Sequence, residues 1–211
     1  MRASLIAVVL SAVFSLTACA PFESDAGSRP PQTRLNPHPV RAYRVTLTLK
    51  DAPGSFRVVE GIVDYTAKYR DNPARTCGYM AGGVGAFIPL SSSESFELKK
   101  VAEDTYEGIV HADGMLDEDY YGEGVCHWEM IEVRARLKAN HNRTDTRFAP
   151  FMQTTPDMME RSETRYYWKG RYPRAGMDDF VEFGDTDKSE IREELRGQLF
   201  TMTLNLRRIE S

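Results

Sequence analysis

The segment DGMLDEDYYGEGVCHWE, residues 113–129, contains the side-chain types from which metal sites, catalytic sites and protein interfaces are built. Five acids and no base stand between Asp113 and Glu123, and Cys126, His127 and Trp128 follow them. Carboxylates bind calcium, imidazole and thiolate bind zinc, and aromatic anchors among charged residues are typical of protein interfaces. We refer to residues 113–123 as the acidic loop.

Calcium is the first chemistry that the acidic loop suggests. Four of its carboxylates could serve as oxygen ligands: Asp113, Asp117, Asp119 and Glu123. An EF-hand beginning at Asp117 would need an oxygen ligand at Tyr121 and a glutamate at Trp128, and neither condition is met. A calcium loop of another kind remains open. A zinc site built from Cys77, Cys126 and His127 lacks a fourth ligand at a suitable spacing.

Catalytic motifs are absent from the sequence. It contains no G-x-S-x-G, no H-E-x-x-H and no glycine-rich phosphate loop, and nothing marks one carboxylate as a buried proton donor. The histidines, His38, His111, His127 and His141, are isolated, and Ser91–Ser93 fall in a predicted polar turn. The sequence therefore predicts no catalytic residue, no cofactor and no resident metal.

A protein interface is the chemistry that the acids favour. A second run, GMDDFVEFGDTD (176–187), again holds five acids and no base, with aromatic rings among them. Carboxylates steer a basic partner and rings supply buried contacts, so we expect one acidic, aromatic face. The predicted partner-binding residues are Asp117, Glu118, Asp119, Tyr120, Tyr121, Glu123, Asp178, Asp179 and Phe180. The alternative is that both runs are solvated loops.

The amino terminus predicts export and lipid anchoring. A basic start and an apolar run from Ala3 to Leu16 are typical of a signal peptide, predicted as residues 1–18, and are too short for a permanent membrane span. The following LTAC resembles the lipobox of bacterial lipoproteins. That resemblance implies that Cys19 carries a diacylglyceryl thioether and an acylated amino group. Ala20 in the next position favours the periplasmic face of the outer membrane.

The remaining chain divides into a tether and one domain. Residues 19–41 are rich in proline and poor in apolar residues, which predicts a flexible tether, and residues 42–211 have the size of a single domain. The formal charge is −4 and no Lys/Arg cluster occurs, so nucleic acid is a poor candidate partner. Cys77 and Cys126, left over after lipidation, predict a disulfide in an oxidising periplasm.

Alternation of apolar and polar residues predicts an all-β, mainly antiparallel domain, a β-sandwich or a strongly curved sheet. Predicted strands cover residues 43–50, 56–69, 130–138 and 198–209, with shorter ones around 96–99, 106–111 and 164–168. Turn residues at 51–55 predict that the first two strands form a hairpin. Asp187 and Glu190, spaced as a capping box, predict one short helix near 188–196. Three glycines predict a loop or bulge at 82–87.

The combination of LTAC, LTLKDAPGSFRVVEG and DEDYYGEGVCHWE is similar to small lipoproteins encoded beside secreted antibacterial effectors. The similarity covers the amino terminus and about residues 43–129. It implies an immunity protein, not an enzyme, which binds an effector in the periplasm and blocks its active site. Such effectors include phospholipases and cell-wall hydrolases. The alternative is an envelope accessory or scaffolding lipoprotein that binds the cell's own machinery.

Overall fold

The computed structural model describes residues 30–81 and 85–210, so the predicted signal peptide and Cys19 lie outside the described residues. The described strands are β1 (Ala42–Lys50), β2 (Val58–Tyr69), β3 (Asn72–Thr76), β4 (Gly78–Ala81), β5 (Ala86–Pro89), β6 (Ser91–Phe96), β7 (Lys99–Ala102), β8 (Thr105–His111), β9 (Cys126–Lys138), β10 (Arg147–Phe148), β11 (Phe151–Gln153), β12 (Arg161–Trp168), β13 (Val181–Glu182) and β14 (Leu199–Arg208). Short 3-10 turns lie at Lys169–Arg171, Lys188–Glu190 and Glu193–Gln198.

The strands form two main sheets and a separate hairpin. The first sheet has the order β12-β14-β1-β8-β7, and the second has the order β13-β10-β9-β2-β3, with β11 beside β9 and β6 beside β2. Strands β4 and β5 pair only with each other. The pairings are antiparallel except for β10 with β13. The predicted all-β, mainly antiparallel fold is confirmed.

Period-two alternation decides which side chains enter the core. In β1, Val45 and Leu47 are fully buried, whereas the threonines between and beside them are partly or fully exposed. Val63 of β2 and Val133 of β9 are directly paired, and both belong to the same hydrophobic cluster as Val45 and Leu47. Residues of both main sheets therefore share one core, which fixes the two sheets relative to each other.

The long strands give the domain two distinct ends. At one end Ala42, the first residue of β1, pairs with His111, the last residue of β8, and Cys126 of β9 pairs with Tyr69 of β2. The acidic loop joins β8 to β9 here, so we call this the loop end. Strands β1 and β9 run from it to the distal end, which is about 30–40 Å away for strands of 9 and 13 residues.

The predicted hairpin of the first two strands is wrong. Strand β1 pairs with β14 on one side and with β8 on the other, so both of its edges are occupied. The turn residues 51–55 instead carry the chain from the first sheet to β2 in the second sheet. The turn residues predicted that the chain changes direction after β1. They do not indicate which strand edge is free to pair with β2.

Three other local predictions also need correction. The strand expected around 96–99 is a junction, because β6 ends at Phe96 and β7 begins at Lys99. The serines at 91–93 lie in β6, where they pair with β2, and not in a polar turn. The helix expected near 188–196 is two 3-10 turns, because Ile191 is extended, with ψ 137°, and buries its side chain. Asp187 does cap the first turn by accepting a hydrogen bond from the Ser189 N–H.

Cys77 and Cys126 form the predicted disulfide, with their Cα atoms 6.1 Å apart. Both residues are fully buried at the loop end. The bond joins the base of the β4–β5 hairpin to the first residue of β9. Within residues 30–81 and 85–210, no helix is long and apolar enough to cross a bilayer.

Candidate functional site

The acidic loop is bonded to the chain's own amino-terminal segment. The Asp113 carboxylate accepts hydrogen bonds from the backbone N–H groups of Val40 and Arg41, each at 2.9 Å. Burial alone would raise the pKa of Asp113, but these hydrogen bonds outweigh it and hold the pKa below its ordinary value. Asp113 therefore fixes the point at which the chain enters β1.

Further contacts continue along residues 34–41, which we call the lead-in segment. The Leu116 N–H donates to the Arg34 carbonyl at 2.9 Å, and the Asn36 N–H donates to the Gly114 carbonyl at 2.8 Å. The Arg34 guanidinium also donates to Glu118, with 3.1 Å between Nε and Oε2. Backbone and side-chain hydrogen bonds thus hold the last part of the predicted tether against the acidic loop.

Asp117 lies at the centre of the acidic loop and is bonded on three sides. Its Oδ2 accepts from Arg70 Nη2 at 2.8 Å and lies 2.7 Å from His127 Nδ1, while Oδ1 accepts from the Trp128 N–H at 3.0 Å. Burial opposes ionisation, but the hydrogen bonds from His127, Trp128 and Arg70 together lower the pKa of Asp117. Asp117 thereby ties the loop to the ends of β2 and β9.

Asp119 shapes the tip of the loop. Its Oδ1 accepts hydrogen bonds from the backbone N–H groups of Gly122 at 2.7 Å and Glu123 at 3.1 Å, and a longer one from Tyr121 at 3.3 Å. Gly122 and Gly124 adopt positive φ angles of 73° and 118°, which residues with a Cβ rarely adopt. The glycines and Asp119 together set a fixed turn.

Glu123 and the two tyrosines complete the loop. Glu123 pairs with Arg75 and accepts a hydrogen bond from the Tyr69 hydroxyl at 3.1 Å, and the Arg75 guanidinium lies 4.3 Å from the Tyr69 ring centroid. Tyr120 and Tyr121, predicted as partner-binding residues, are both half-buried against the core.

The reason for the burial of Tyr120 is visible in its contacts. Its hydroxyl donates to the Leu116 carbonyl at 2.6 Å, and its ring meets Trp128 edge to face at 6.0 Å between centroids. Tyr120 is therefore a structural support of the loop. The Tyr121 hydroxyl oxygen is buried and has no hydrogen-bond partner among the described residues.

The second acidic run lies at the distal end. The Asp179 N–H donates to the Arg143 carbonyl, and the Phe180 carbonyl accepts from the Arg147 N–H, close to the end of β9. Arg143 lies within 3.8 Å of Asp178 and 3.4 Å of Asp179. Since β9 separates this run from the acidic loop, the two runs do not form the single face expected from the sequence.

The four carboxylates proposed as calcium ligands do not come together around one site. Asp113, Asp117, Asp119 and Glu123 each bind different protein groups, as described above. Among the described residues, no group of three or more His, Cys, Asp or Glu side chains could hold a metal ion. The zinc combination is likewise not assembled, since Cys77 and Cys126 are bonded to each other.

The Asp117–His127 contact has the geometry of two members of a catalytic triad. In such a triad a Ser, Thr or Cys side chain donates to the second ring nitrogen. Among the hydrogen bonds of the described residues, the His127 ring makes only the contact with Asp117. In this structure the pair serves to hold the loop against β9.

The hairpin of β4 and β5 is a feature that the sequence reasoning missed. Its base is held by the disulfide and by backbone hydrogen bonds from Cys77 and Leu90, while Met80 and Phe87 are 55% and 47% exposed. Ile88 is 39% exposed, and Phe87 covers Gly78. The run Phe87-Ile88-Pro89 after a glycine-rich stretch was the signal, but the glycines predicted only a loop or bulge.

Clefts occur at both ends of the domain. The larger of two, about 720 Å³, lies at the distal end between β1, β2 and β8, with Phe56, Leu98 and Tyr106 in its walls. A smaller one of about 200 Å³ lies at the loop end beside Tyr69 and Glu123. Neither gathers groups that together form a catalytic site. Comparison with known proteins adds no identity to these sites, because no family model, no curated protein and no solved structure matches the chain.

Proposed function

We propose that the protein is a lipid-anchored periplasmic immunity protein, which binds a secreted antibacterial effector through its acidic loop. The sequence supports this proposal through LTAC, the acidic, aromatic composition of residues 113–123 and the similarity to immunity lipoproteins. The anchor would be Cys19, at the periplasmic face of the outer membrane. The partner would be a protein with a basic face, and no cofactor or nucleic acid is needed.

The observation that carries the proposal is the fixed shape of the loop. Asp117 and Asp119 bond backbone and side-chain groups from within, so they hold the loop in one conformation before any partner arrives. A surface already ordered loses little conformational entropy on binding, which favours tight association. An inhibitor that must block a cleft benefits from such a loop.

The pairing of the acids refines how the loop would act. Glu118 and Glu123 are each bonded to an arginine of the same chain, so they are not free charges. A basic partner would compete with Arg34 and Arg75 for these carboxylates, while Tyr121 offers the exposed part of its ring. We therefore place the contact region at Glu118, Tyr121 and Glu123. Asp178, Asp179 and Phe180 at the distal end form a separate second candidate surface.

The test is protection of growing cells. The gene adjoining this one is expressed with a periplasmic export signal, with and without this protein. We expect growth arrest without the protein and growth with it, together with co-purification of the two products. An adjoining product that does not arrest growth, or capture of the cell's own envelope proteins alone, would support the accessory-lipoprotein alternative instead.

A further inference from the structure

The exposed apolar side chains of the domain gather at the loop end. Eleven large apolar residues are exposed among the described residues. Six of them lie on loop-end segments: Leu35, Val40, Met80, Phe87, Ile88 and Met158. Val101, Met177 and Phe183 lie at the distal end, and Ile109 and Ile131 lie within β8 and β9. Exposed apolar side chains concentrated at one end of a domain mark a surface that contacts something apolar.

Three segments at this end are linked to one another. The β4–β5 hairpin is bonded to Cys126 through Cys77, the Cys126 N–H donates to the Glu118 carbonyl at 2.8 Å, and Glu118 pairs with Arg34 of the lead-in segment. The base of the hairpin and the lead-in segment therefore both lie at the loop end, joined through the acidic loop.

The path of the chain indicates what this end faces. The lead-in segment leaves the acidic loop at Arg34, which is 15 residues after Cys19. Even fully extended, 15 residues span at most about 50 Å. If Cys19 carries the lipid anchor, the anchor is attached to the loop end of the domain and not to the distal end.

We infer that the β4–β5 hairpin enters the lipid surface beside the anchor, with Met80, Phe87 and Ile88 in the interfacial region. This inference rests on the lipid anchor of the proposed function. Aromatic and aliphatic side chains on an exposed element bury their apolar parts at the boundary between headgroups and acyl chains, about 5–10 Å deep. The disulfide fixes the base of the hairpin, so the element meets the membrane in one orientation.

Docking of the hairpin places the acidic loop at the membrane surface. The ion pairs with Arg34, Arg70 and Arg75 neutralise part of the loop's charge, which limits repulsion from anionic headgroups. A loop in this position would meet an effector that acts on the membrane itself, since such an effector must approach the same surface. The inference thus narrows the partner to enzymes that work at the lipid surface.

The experiment uses the full lipidated chain in phosphatidylcholine vesicles whose acyl chains carry bromine, which quenches nearby tryptophan. Phe87→Trp reports on the hairpin, and Val101→Trp, at a site 56% exposed at the distal end, is the matched control. The signal of Trp128 and Trp168 is subtracted with the unsubstituted chain. Met80→Trp repeats the measurement should Phe87→Trp fold poorly.

We expect the tryptophan introduced at position 87 to shift its emission to the blue and lose roughly half of it or more, as befits a depth of about 5–10 Å. The tryptophan introduced at position 101 should stay unchanged. Flotation of the protein with the vesicles is measured in parallel. Protein that floats without quenching at position 87 overturns this inference alone, whereas protein that does not float overturns the lipid anchor as well. Quenching at both positions also overturns the inference. So does a blue shift at position 87 that a purified effector produces and vesicles do not.

Discussion

Arg70 donates a hydrogen bond from Nη2 to Oδ2 of Asp117 over 2.8 Å, although 47 positions separate the two residues in the chain. This contact balances the central acid of the loop with a base from the end of β2. Asp117 therefore contributes to the structure of the loop and not only to its charge. This role can be measured, because replacing Asp117 should change the stability of the protein more than replacing other acids of the same loop.

Asp117→Asn should destabilise the protein more than Glu118→Gln. The asparagine side chain keeps one acceptor but loses the charge that bonds Arg70 and His127, which costs about 1–3 kcal/mol for a partly buried carboxylate. Glu118 pairs with an arginine that is 62% exposed, and such pairs contribute little. Chemical denaturation of both variants checks this order. Equal stability of the two variants would contradict the central role of Asp117.

Asp113→Asn should flatten the loss of stability in acid. The folded-state pKa of Asp113 is lowered by the Val40 and Arg41 N–H groups, so the ionised form is favoured in the folded protein. Its contribution is complete above the unfolded pKa of about 3.9 and is lost as pH falls through the folded value. Unfolding free energies measured between about pH 2 and pH 5 should therefore fall less steeply in the variant.

The control for this pH series is Asp178→Asn, at the distal end, where the side chain is 62% exposed. It should leave the slope near that of the unsubstituted chain. Hydrogen exchange supplies a second measurement, because Asp113→Asn should raise exchange at the Val40 and Arg41 amides. Unchanged protection of both amides would show that the lead-in segment is held by other contacts.

Cys126→Ala should lower the free energy of unfolding by about 4 kcal/mol on the chain-entropy estimate, since the disulfide closes a loop with a sequence separation of 49. Thermal unfolding would report a clear fall in the midpoint. Mass spectrometry without reductant should show the linked Cys77 and Cys126 peptides. Two free thiols at these positions in the mature protein would contradict the bond.

Cys19→Ala should abolish labelling by fatty acid and remove the protein from the membrane fraction. The resemblance of LTAC to a lipobox is the reason, because the thioether forms on that cysteine sulfur. Metabolic labelling and membrane fractionation make the measurement. Cys77→Ala is the matched control, since it removes a different cysteine and should keep the label.

Sequence patterns were reliable where the physics is local. Alternation placed β1, β2, β9 and β14 and identified most of their buried side chains, because burial of every second residue follows from strand geometry alone. Ile131 of β9 is the exception, since it was expected beside Val133 on the buried face and is 37% exposed. The disulfide was predicted from the expected periplasmic location and from the number of cysteines left after lipidation. The hairpin of β1 and β2 failed, since the edges of a strand can be taken by segments far along the chain, here β8 and β14.

The candidate site shows the same difference between local features, which the sequence reveals, and long-range contacts, which it does not. The sequence displays five acids without a base, yet the bases that pair with Glu118, Asp117 and Glu123 come from 84, 47 and 48 positions away. No local pattern reveals such partners. The acids therefore look like free charge in the sequence and act largely as internal supports in the structure, which changes the variants that test an interface.

Neutralising Glu118 and Glu123 together should slow association with the effector. Both belong to the proposed contact region, and their removal leaves Asp117 and Asp119, which shape the loop, in place. Long-range attraction acts mainly on the association rate and fades when salt reduces the screening length to about 10 Å or less. The double variant, Glu118→Gln with Glu123→Gln, should therefore also show a weaker dependence on salt.

Tyr121→Ala should instead speed dissociation. A ring that becomes buried at an interface costs about 2 kcal/mol or more when it is truncated. Tyr121→Phe separates the contribution of the ring from that of the hydroxyl, whose oxygen is buried without a hydrogen-bond partner among the described residues. Surface plasmon resonance at two salt concentrations resolves the two rates for each variant.

The matched control is the distal pair, Asp178→Asn with Asp179→Asn, which removes the same charge at the opposite end. Asparagine tolerates the positive φ of 53° at position 179, so folding should be preserved. If binding slows only in the loop variant, the acidic loop is the contact surface. If it slows only in the distal variant, the effector binds beside Phe180, and the acidic loop serves to hold the lead-in segment and not to bind a toxin.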